Sequence, residues 1–383
     1  MKINLKNNIK NDRYTEYVYN TFDIQNREET ETEVSFNLGE AKNFDWNIGV
    51  IYGSSGSGKT TILKQMGKLA SSNFDGEKSL ISNFDWLEPS EASRLLSSMG
   101  LSSVPTWLRP FHLLSNGEQF RAELAYKIGK AKDNEVVLID EFTSVVDRDV
   151  AKSMSFAIQK YLRKHNKRMI VASCHYDIME WLTPDWVCSP QKNGGALERS
   201  PLLRGSRPKI ELRVHRVEAS TWDLFKEHHY LTHKANKSCK FLLFTWNNKP
   251  VAIMAVINQP RKGCPNGFSL SRLVVLPDYQ GLGIGVELCE FSSAIFKDIG
   301  GKIFTKTIHP AVGEHFNSSD NWRGTLKNGK IGNTNDKNAV NRFSRVSYCH
   351  EYVGESIEGY SELLKPIKEM RDLKTNTLKL DLC

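Results

Sequence analysis

No run of about 18 apolar residues occurs anywhere in the 383-residue chain, and a membrane span needs one. The first residues, MKINLKNNIKNDRYTEY, are polar and lack the apolar core of a secretory signal, so a cytosolic protein with no membrane partner is expected. Cysteine is scarce: seven residues, at 174, 188, 239, 264, 289, 349 and 383, with no Cys-x-x-Cys pair. That odd, scattered set argues against a structural zinc site and against a disulfide framework. No internal repeat is visible, and the biased stretches are short: an acidic REETETE at 27–33 and a Lys/Asn/Gly-rich patch near 327–338.

What is present is ordinary globular composition, 39% hydrophobic and 25% charged, which excludes disorder as the main state. The length fits two domains, each able to bury its own core. Charge separates them. Residues 201–383 carry 27 Lys+Arg and 18 Asp+Glu, a net +9, whereas residues 1–200 carry a net −1. A basic half suits a polyanionic partner such as nucleic acid, a phosphorylated cofactor, or solubility alone. The boundary falls in PQKNGGALERSPLLRGSRP, residues 190–208, which has neither strand nor helix periodicity and reads as a linker. Apolar residues at helical spacing over Ser356–Leu373 predict a C-terminal amphipathic helix, kinked or restarted at Pro366.

In the first half, the apolar Ile48–Tyr52 runs into Gly53-Ser54-Ser55-Gly56-Ser57-Gly58-Lys59-Thr60-Thr61 and then into a helix-like stretch. This is the phosphate-binding loop Gly-x-x-x-x-Gly-Lys-Thr in its strand–loop–helix setting. Its glycines let backbone N–H groups turn onto phosphates, Lys59 reaches the β/γ-phosphates, and the Thr60 hydroxyl serves Mg²⁺. Downstream, Val136-Val137-Leu138-Ile139 ends in Asp140-Glu141, a buried parallel strand delivering two carboxylates at its carboxyl end. One suits the metal, here Asp140, and its neighbour suits polarising water.

Between these lies Leu114-Ser115-Asn116-Gly117-Glu118, and with it the region resembles the ABC-class ATPases, whose signature reads Leu-Ser-Gly-Gly-Gln. Thr143-Ser144-Val145-Val146-Asp147 looks like the family's D-loop and His175, after Met169–Cys174, like its switch histidine. The resemblance covers roughly residues 30–190. It implies a head-to-tail homodimer with two ATPs sandwiched between chains, Ser115 and Gly117 facing the partner's nucleotide, Glu141 as catalytic base and His175 at the γ-phosphate. Two departures stand out: the spacing from Lys59 to Ser115 is short for the family's helical subdomain, and the usual Q-loop glutamine is replaced or lost around Asn83-Phe84-Asp85-Trp86. Both favour a soluble ABC ATPase over a transporter subunit.

In the second half, Phe268–Leu276 predicts a strand that exits through Pro277-Asp278-Tyr279 into Gln280-Gly281-Leu282-Gly283-Ile284-Gly285 and a helix. Physically this is a backbone anion cradle at a helix start, without the lysine of a nucleotide loop. The same residues resemble motif A of the GNAT acyltransferases, Gln/Arg-x-x-Gly-x-Gly/Ala, through Gln280, Gly283 and Gly285. By that resemblance residues 280–285 hold the pyrophosphate of acetyl-CoA or another acyl-CoA, and Leu273, Val274, Val275 and Leu276 lie beside its pantetheine arm. A helix near Thr221–Glu227, a hairpin of Phe241–Trp246 with Val251–Val256, and a strand over Lys302–Lys306 fit the same order. The tyrosine that many GNATs carry after the fifth strand is absent, which leaves His315 there and His228-His229-Tyr230 after the first helix as titratable candidates; His229, Tyr230 and His315 are taken as the acyl-transfer set. His229-Tyr230-Leu231 and the Pro-Asp-Tyr-Gln-Gly exit are also loosely similar to Mom-type DNA-modification proteins of phages.

The expectation is therefore an α/β chain: a P-loop ABC-type ATPase domain at 1–189, a linker at 190–208, a GNAT-fold mixed sheet with flanking helices at 209–355, and a C-terminal helix and tail at 356–383. Its expected function is acyl-CoA-dependent N-acylation coupled to ATP hydrolysis, with DNA or another nucleic acid as acceptor. A protein or small amine as acceptor, or an acyl-CoA-sensing clamp without transfer, remain alternatives.

Overall fold

The computed structural model describes residues 2–24, 29–37, 39, 44–200, 210–229, 233–331, 346–365 and 376–380. In chain order its first half contains β1 (Lys2–Asn8), α1 (Arg13–Phe22), β2 (Glu29–Ser35), β3 (Ile48–Tyr52), α2 (Lys59–Met66), α3 (Pro89–Ser98), α4 (Val104–Trp107), α5 (Asn116–Lys130), β4 (Val136–Ile139), α6 (Arg148–Lys164), β5 (Arg168–Ser173), α7 (Met179–Leu182), β6 (Trp186–Cys188) and β7 (Leu197–Arg199). The second half adds β8 (Ile210–Val217), β9 (Lys240–Trp246), β10 (Lys249–Asn258), β11 (Gly267–Val275), α8 (Ile284–Asp298), β12 (Lys302–Thr307), α9 (Pro310–Ser318), β13 (Trp322–Gly324), β14 (Lys330–Ile331), β15 (Val346–Tyr352) and β16 (Asn376–Leu380). Two compact units result, one of Met1–Ser72, Lys130–Val145 and Gln159–Ser206, the other of Asn73–Gly129, Val146–Ile158 and Arg207–Cys383. One boundary, Ser206/Arg207, falls within residues 190–208, but Asn73–Gly129 and Val146–Ile158 of the first half, with the stretch around Leu114–Glu118, group with the second unit.

The first unit is built on a sheet of order β4-β5-β3-β6-β7, parallel except for β7. Its central strands are continuous apolar runs, with Ile48, Val50, Ile51 and Met169–Ala172 buried, as a parallel sheet covered on both faces demands. Trp46 packs edge-on against Trp186 beside Ile62 and Leu63 of α2. Leu197–Arg199 of the expected linker pairs with β6 as an edge strand, while residues 201–208 lie outside the described set.

The second unit carries a nine-stranded sheet, β13-β15-β12-β11-β10-β9-β8-β16 with β14 on β15. Among its described pairs only β11–β12 is parallel, and that pairing stops at Leu270↔Thr305 although both strands run on. They therefore splay. The β9–β10 hairpin turns at Asn247 and Asn248, both left-handed (φ 50° and 63°), as a two-residue turn that matches strand twist requires. Aromatic alternation covers both faces: Phe268 meets Phe296 of α8 on one, and Phe241, Ile253 and Val274 pack with Trp222 and Phe225 on the other. Where a helix is expected near Thr221–Glu227, two 3₁₀ turns occur, Ala219–Leu224 and Lys226–His228. The predicted C-terminal helix is corrected in part: its described residues hold a single 3₁₀ turn, Ser361–Leu364, residues 366–375 lie outside the described set, and Asn376–Leu380 is a strand on β8.

Against this sheet pack residues 73–129 and the start of α6. The contact centres on Arg121 of α5, which is wholly buried. Its Nε donates to Gly117 O (3.2 Å), and Nη1 to Gly100 O (2.7 Å) and to Pro277 O; Nη2 lies 3.6 Å from Asp278 Oδ1. Ser153 Oγ donates to Asp278 O at 2.7 Å, and Gln280 Oε1 accepts from Ser102 N at 2.7 Å. Two glycines let the backbones meet. Gly281 is left-handed (φ 88°), and a Cβ there would sit 2.7 Å from Ala157 Cβ and 3.0 Å from Gly100 Cα. None of the described helices is long and apolar enough to cross a membrane, and the six described cysteines are free.

Removing the guanidinium would leave Gly100 O and Pro277 O desolvated without a donor. Arg121→Met is therefore expected to lower stability by about 3 kcal/mol, and Arg121→Lys to recover only part of it, because one ammonium cannot reach three carbonyls in a plane. Denaturant titration of the full chain measures both.

Candidate functional site

In the first unit β4, β5 and β3 lie side by side and parallel, with Ile139 opposite Val171 and Tyr52 opposite Ser173. Their carboxyl ends therefore share one edge, the place where open parallel sheets bind ligands. Asp140 and Glu141 leave β4 there, His175 follows β5, and residues 53–58 leave β3 for α2. Gly58, at φ 89°, precedes Lys59, and a Cβ on it would meet Val34 Cγ2 at 2.5 Å, so the loop closes on the β1–β2 ribbon only through glycine. Lys59 Nζ donates to its own loop carbonyls, Gly53 O (3.0 Å) and Ser54 O (2.6 Å), which holds the ammonium inside the curve of the loop. Ser57 Oγ is buried there without a partner. With the orphan N–H groups at the start of α2, this donor set suits phosphate, and the Thr60 hydroxyl and Asp140 carboxylate are of the hard oxygen type that Mg²⁺ takes.

After β4 the backbone is strained. Glu141 and Thr143 have φ of 49° and 70°, a region that costs energy for any residue with a Cβ and most for a β-branched one. Asp140 Oδ1 accepts from Glu141 N at 2.9 Å, and Glu141 is exposed. His175 is half-buried, and its N–H is held by Ser173 Oγ at 3.1 Å.

The signature-like segment starts α5 in the second unit. Ser115 N and Oγ both donate to Glu118 Oε2 (3.0 and 3.1 Å), while Glu118 Oε1 accepts from Thr106 Oγ1 at 2.9 Å. Glu118, which with Asn116 departs from the Leu-Ser-Gly-Gly-Gln pattern, is thus half of a capping box that uses up its carboxylate. Asn83, Phe84 and Trp86, where a Q-loop equivalent was sought, build the interior instead: Asn83 bonds Asp75 N and Ser79 O, and the two rings join Phe74, Phe111 and Tyr126.

The second unit also holds a cavity of about 310 Å³. It opens where β11 and β12 splay, with Leu273–Val275 on one wall, Thr305–Thr307 on the other, and Gly281, Gly283, Ile284 and Gly285 at its mouth. Gly283 is left-handed at the start of α8 and no side chain caps that helix, so its first-turn N–H groups are of the kind that suit an anion. Ser97, Ser102, Ser103 and Val104 of the helical segment line it too. Leu276 and Leu282 do not: Leu276 N is engaged by Val251 O, and Leu282 is in the core. Gln280 lines the cavity, but its amide is occupied in tying Val275 O to Ser102 N.

Of the acyl-transfer candidates, His229 lines the cavity, buried edge-on to Trp222, and so does its neighbour His228, whose pKa burial pulls below the usual value. Tyr230 lies outside the described residues. His315 is not among the lining residues; its Nε2 lies 3.4 Å from Glu290 Oε1, in a cluster where Glu290 also accepts from Asn321 and Trp322. Sequence reasoning passed over His309. It sits between β12 and Pro310, lines the cavity, and has a buried Nδ1 with no partner. Burial lowers its pKa, against the opposing effect of a hydrogen bond to the Ser102 backbone. The readable signal was its place, a histidine capping the helix that follows the splayed strand.

Residues 209–313 match the model of the Acetyltransferase (GNAT) family. Among solved structures, a dimeric ATP-binding cassette in a post-hydrolysis state with ADP and Pi aligns with 48% of this chain and 95% of its own, at 15% identity and a TM-score of 0.34. An ABC transporter component of Clostridium perfringens aligns with 40% and 75% (15% identity, TM-score 0.32), and a ribosomal-protein alanine N-acetyltransferase of Escherichia coli with 39% and 96% (15% identity, TM-score 0.29). No curated protein matches the chain. The likeness to Mom-type proteins has no counterpart in these matches.

Cysteine reactivity tests the burial around these sites. Burial first, then Glu198, pushes the Cys188 thiol up to about 11, and burial raises Cys289 further, whereas Cys174, next to His175, is exposed. Iodoacetamide near pH 8 is expected to label Cys174 while leaving Cys188 and Cys289 protonated and unmodified, as read by peptide mass mapping.

Proposed function

We propose that the chain is an acyl-CoA-dependent N-acyltransferase that also hydrolyses ATP, and that its acyl acceptor is a nucleic acid. The observation that carries the transferase reading is the cavity at the β11–β12 splay, closed at one end by the glycine-lined start of α8. The N–H groups there bind the pyrophosphate of acyl-CoA, and the thioester reaches between the strands. An acceptor amine attacks the carbonyl carbon, the C–N bond forms as the C–S bond breaks, and the CoA thiolate leaves to take a proton from water. His309 accepts the amine proton. Its lowered pKa keeps it neutral near pH 7, and its buried Nδ1 lacks any other partner.

ATP is bound at the carboxyl edge of the first unit's sheet, with the backbone of residues 53–61 and Lys59 on its phosphates. Thr60 and Asp140 hold Mg²⁺, which neutralises phosphate charge when bound. Glu141 orients the attacking water and His175 contacts the γ-phosphate; Ser115 and Gly117 complete the site of a second copy in a head-to-tail homodimer. The excess of cations in residues 201–383 supports a polyanionic acceptor. A second reading, an acyl-CoA-sensing clamp with no transfer, is favoured by the Arg121 contacts, which join the signature segment to the loop 277–281. Transfer of a labelled acetyl group in vitro excludes it.

Four outcomes are expected. Glu141→Gln abolishes ATP turnover, and nucleic acid stimulates the wild-type ATPase; an ATPase indifferent to duplex and single strands would point to a protein or small amine as acceptor. His309→Ala lowers kcat for acetyl transfer by about 10²-fold or more, with the KM for acetyl-CoA little changed. In the wild type, kcat/KM holds as pH falls to 6.5 and drops only below it, since protonation of a base with a depressed pKa comes late.

A further inference from the structure

A second cavity, of about 670 Å³, lies beside β12 and β15 in the second unit. Arg261 covers the Phe304 ring in its wall, with Cζ 3.8 Å from the ring centroid, and Lys306, Lys327 and Lys330 also line it. Among the described residues no carboxylate lines it, and none of the four cations has an ion-pair partner. Like charges gathered in one concavity repel one another and raise the local concentration of anions, and a bound anion relieves that repulsion. The cavity is also continuous in sequence position with the first: Thr305 and Lys306 line both, at the point where β11 leaves β12. A ligand anchored on the cations would therefore present its far end to the acyl cavity.

We propose that this second cavity binds phosphate groups of the acyl acceptor, so that the acceptor is a phosphate-bearing molecule rather than a neutral or cationic amine. The inference rests on the acyl-transfer reading and adds the recognition element that reading lacks. Lysine ammonium groups supply mobile point charges for phosphate oxygens, and the planar Arg261 guanidinium, already stacked on Phe304, offers its open face to a base. Phosphate from a polymer and phosphate from a free nucleotide share this chemistry, and their binding distinguishes them.

The experiment titrates the full chain at low salt with acetyl-CoA, a single-stranded decanucleotide, a mononucleotide and inorganic phosphate in separate arms. It is repeated with Lys327→Ala/Lys330→Ala and with Arg261→Ala, all three residues being exposed and outside the acyl cavity. The expected result is about tenfold weaker binding of the phosphate ligands by the double variant, a salt slope shallower by about 0.7 per lysine removed for the decanucleotide, and unchanged acetyl-CoA binding. Binding of the decanucleotide alone identifies a polymer; equal binding of the mononucleotide identifies a free nucleotide. Failure of every phosphate ligand to bind, or binding that both variants leave intact, overturns the proposal. If instead phosphate ligands bind and respond to the variants but acetyl-CoA does not bind, the acyl-transfer reading falls, the role as acceptor site falls with it, and the cavity stands as a phosphate site.

Discussion

The second unit depends on one buried cation. The Arg121 guanidinium has no access to water, so its charge is tolerable only because backbone carbonyls from two distant stretches, Gly100 and Pro277, and the carboxylate of Asp278 surround it. Burial pulls its pKa down, and Asp278, Glu118 and Asp147 oppose that pull. Satisfying a planar fork of donors sets distances and angles on every partner. Gly100 and Gly281 must then touch through bare backbone, Gln280 must turn its amide to Ser102, and the wall of the acyl cavity is completed by serines from the helical segment. The loop from Pro277 to Gly285 is held in shape by residues 125 to 178 positions earlier.

The same constraint gives Glu118 its place. A carboxylate caps α5 through Ser115 and also takes the Thr106 hydroxyl, fixing the turn that presents Gly117 O to Arg121. The two clefts follow different physical rules. At the sheet edge of the first unit, the backbone is strained at Glu141 and Thr143, and Lys59 is turned onto the carbonyls of its own loop. At the β11–β12 splay, ladder hydrogen bonds stop at Leu270↔Thr305, and the gap is what makes room for a ligand within an otherwise continuous sheet.

Much of this was legible in the amino-acid order. Ile48–Tyr52 and Val136–Ile139 are continuous apolar runs ending in phosphate-loop and carboxylate residues, and their strands have those bounds. The hairpin of Phe241–Trp246 with Val251–Val256 was also expected, and its second strand starts earlier, at Lys249, because Asn247 and Asn248 accept two successive left-handed conformations. Gln280–Gly285 announced a helix-start cradle. Local signals of this kind survive because backbone conformation, strand burial and turn chemistry are decided within a few residues.

Other features left no local trace. Arg121 reads as one more charge on a helix until the fold removes water from it, and His309 reads as a loop histidine until the strand before it splays. Residues 356–365 have helical apolar spacing yet make only a short turn, while Asn376–Leu380 is taken up by the free edge of β8, a hydrogen-bonding demand that no period in the segment encodes. Which stretch of the first half packs with the second, and which histidines share a cavity, were decided by tertiary packing alone: burial and pairing across hundreds of residues are properties of the surface a segment meets, whereas strand, loop and helix-start chemistry are written into the segment itself.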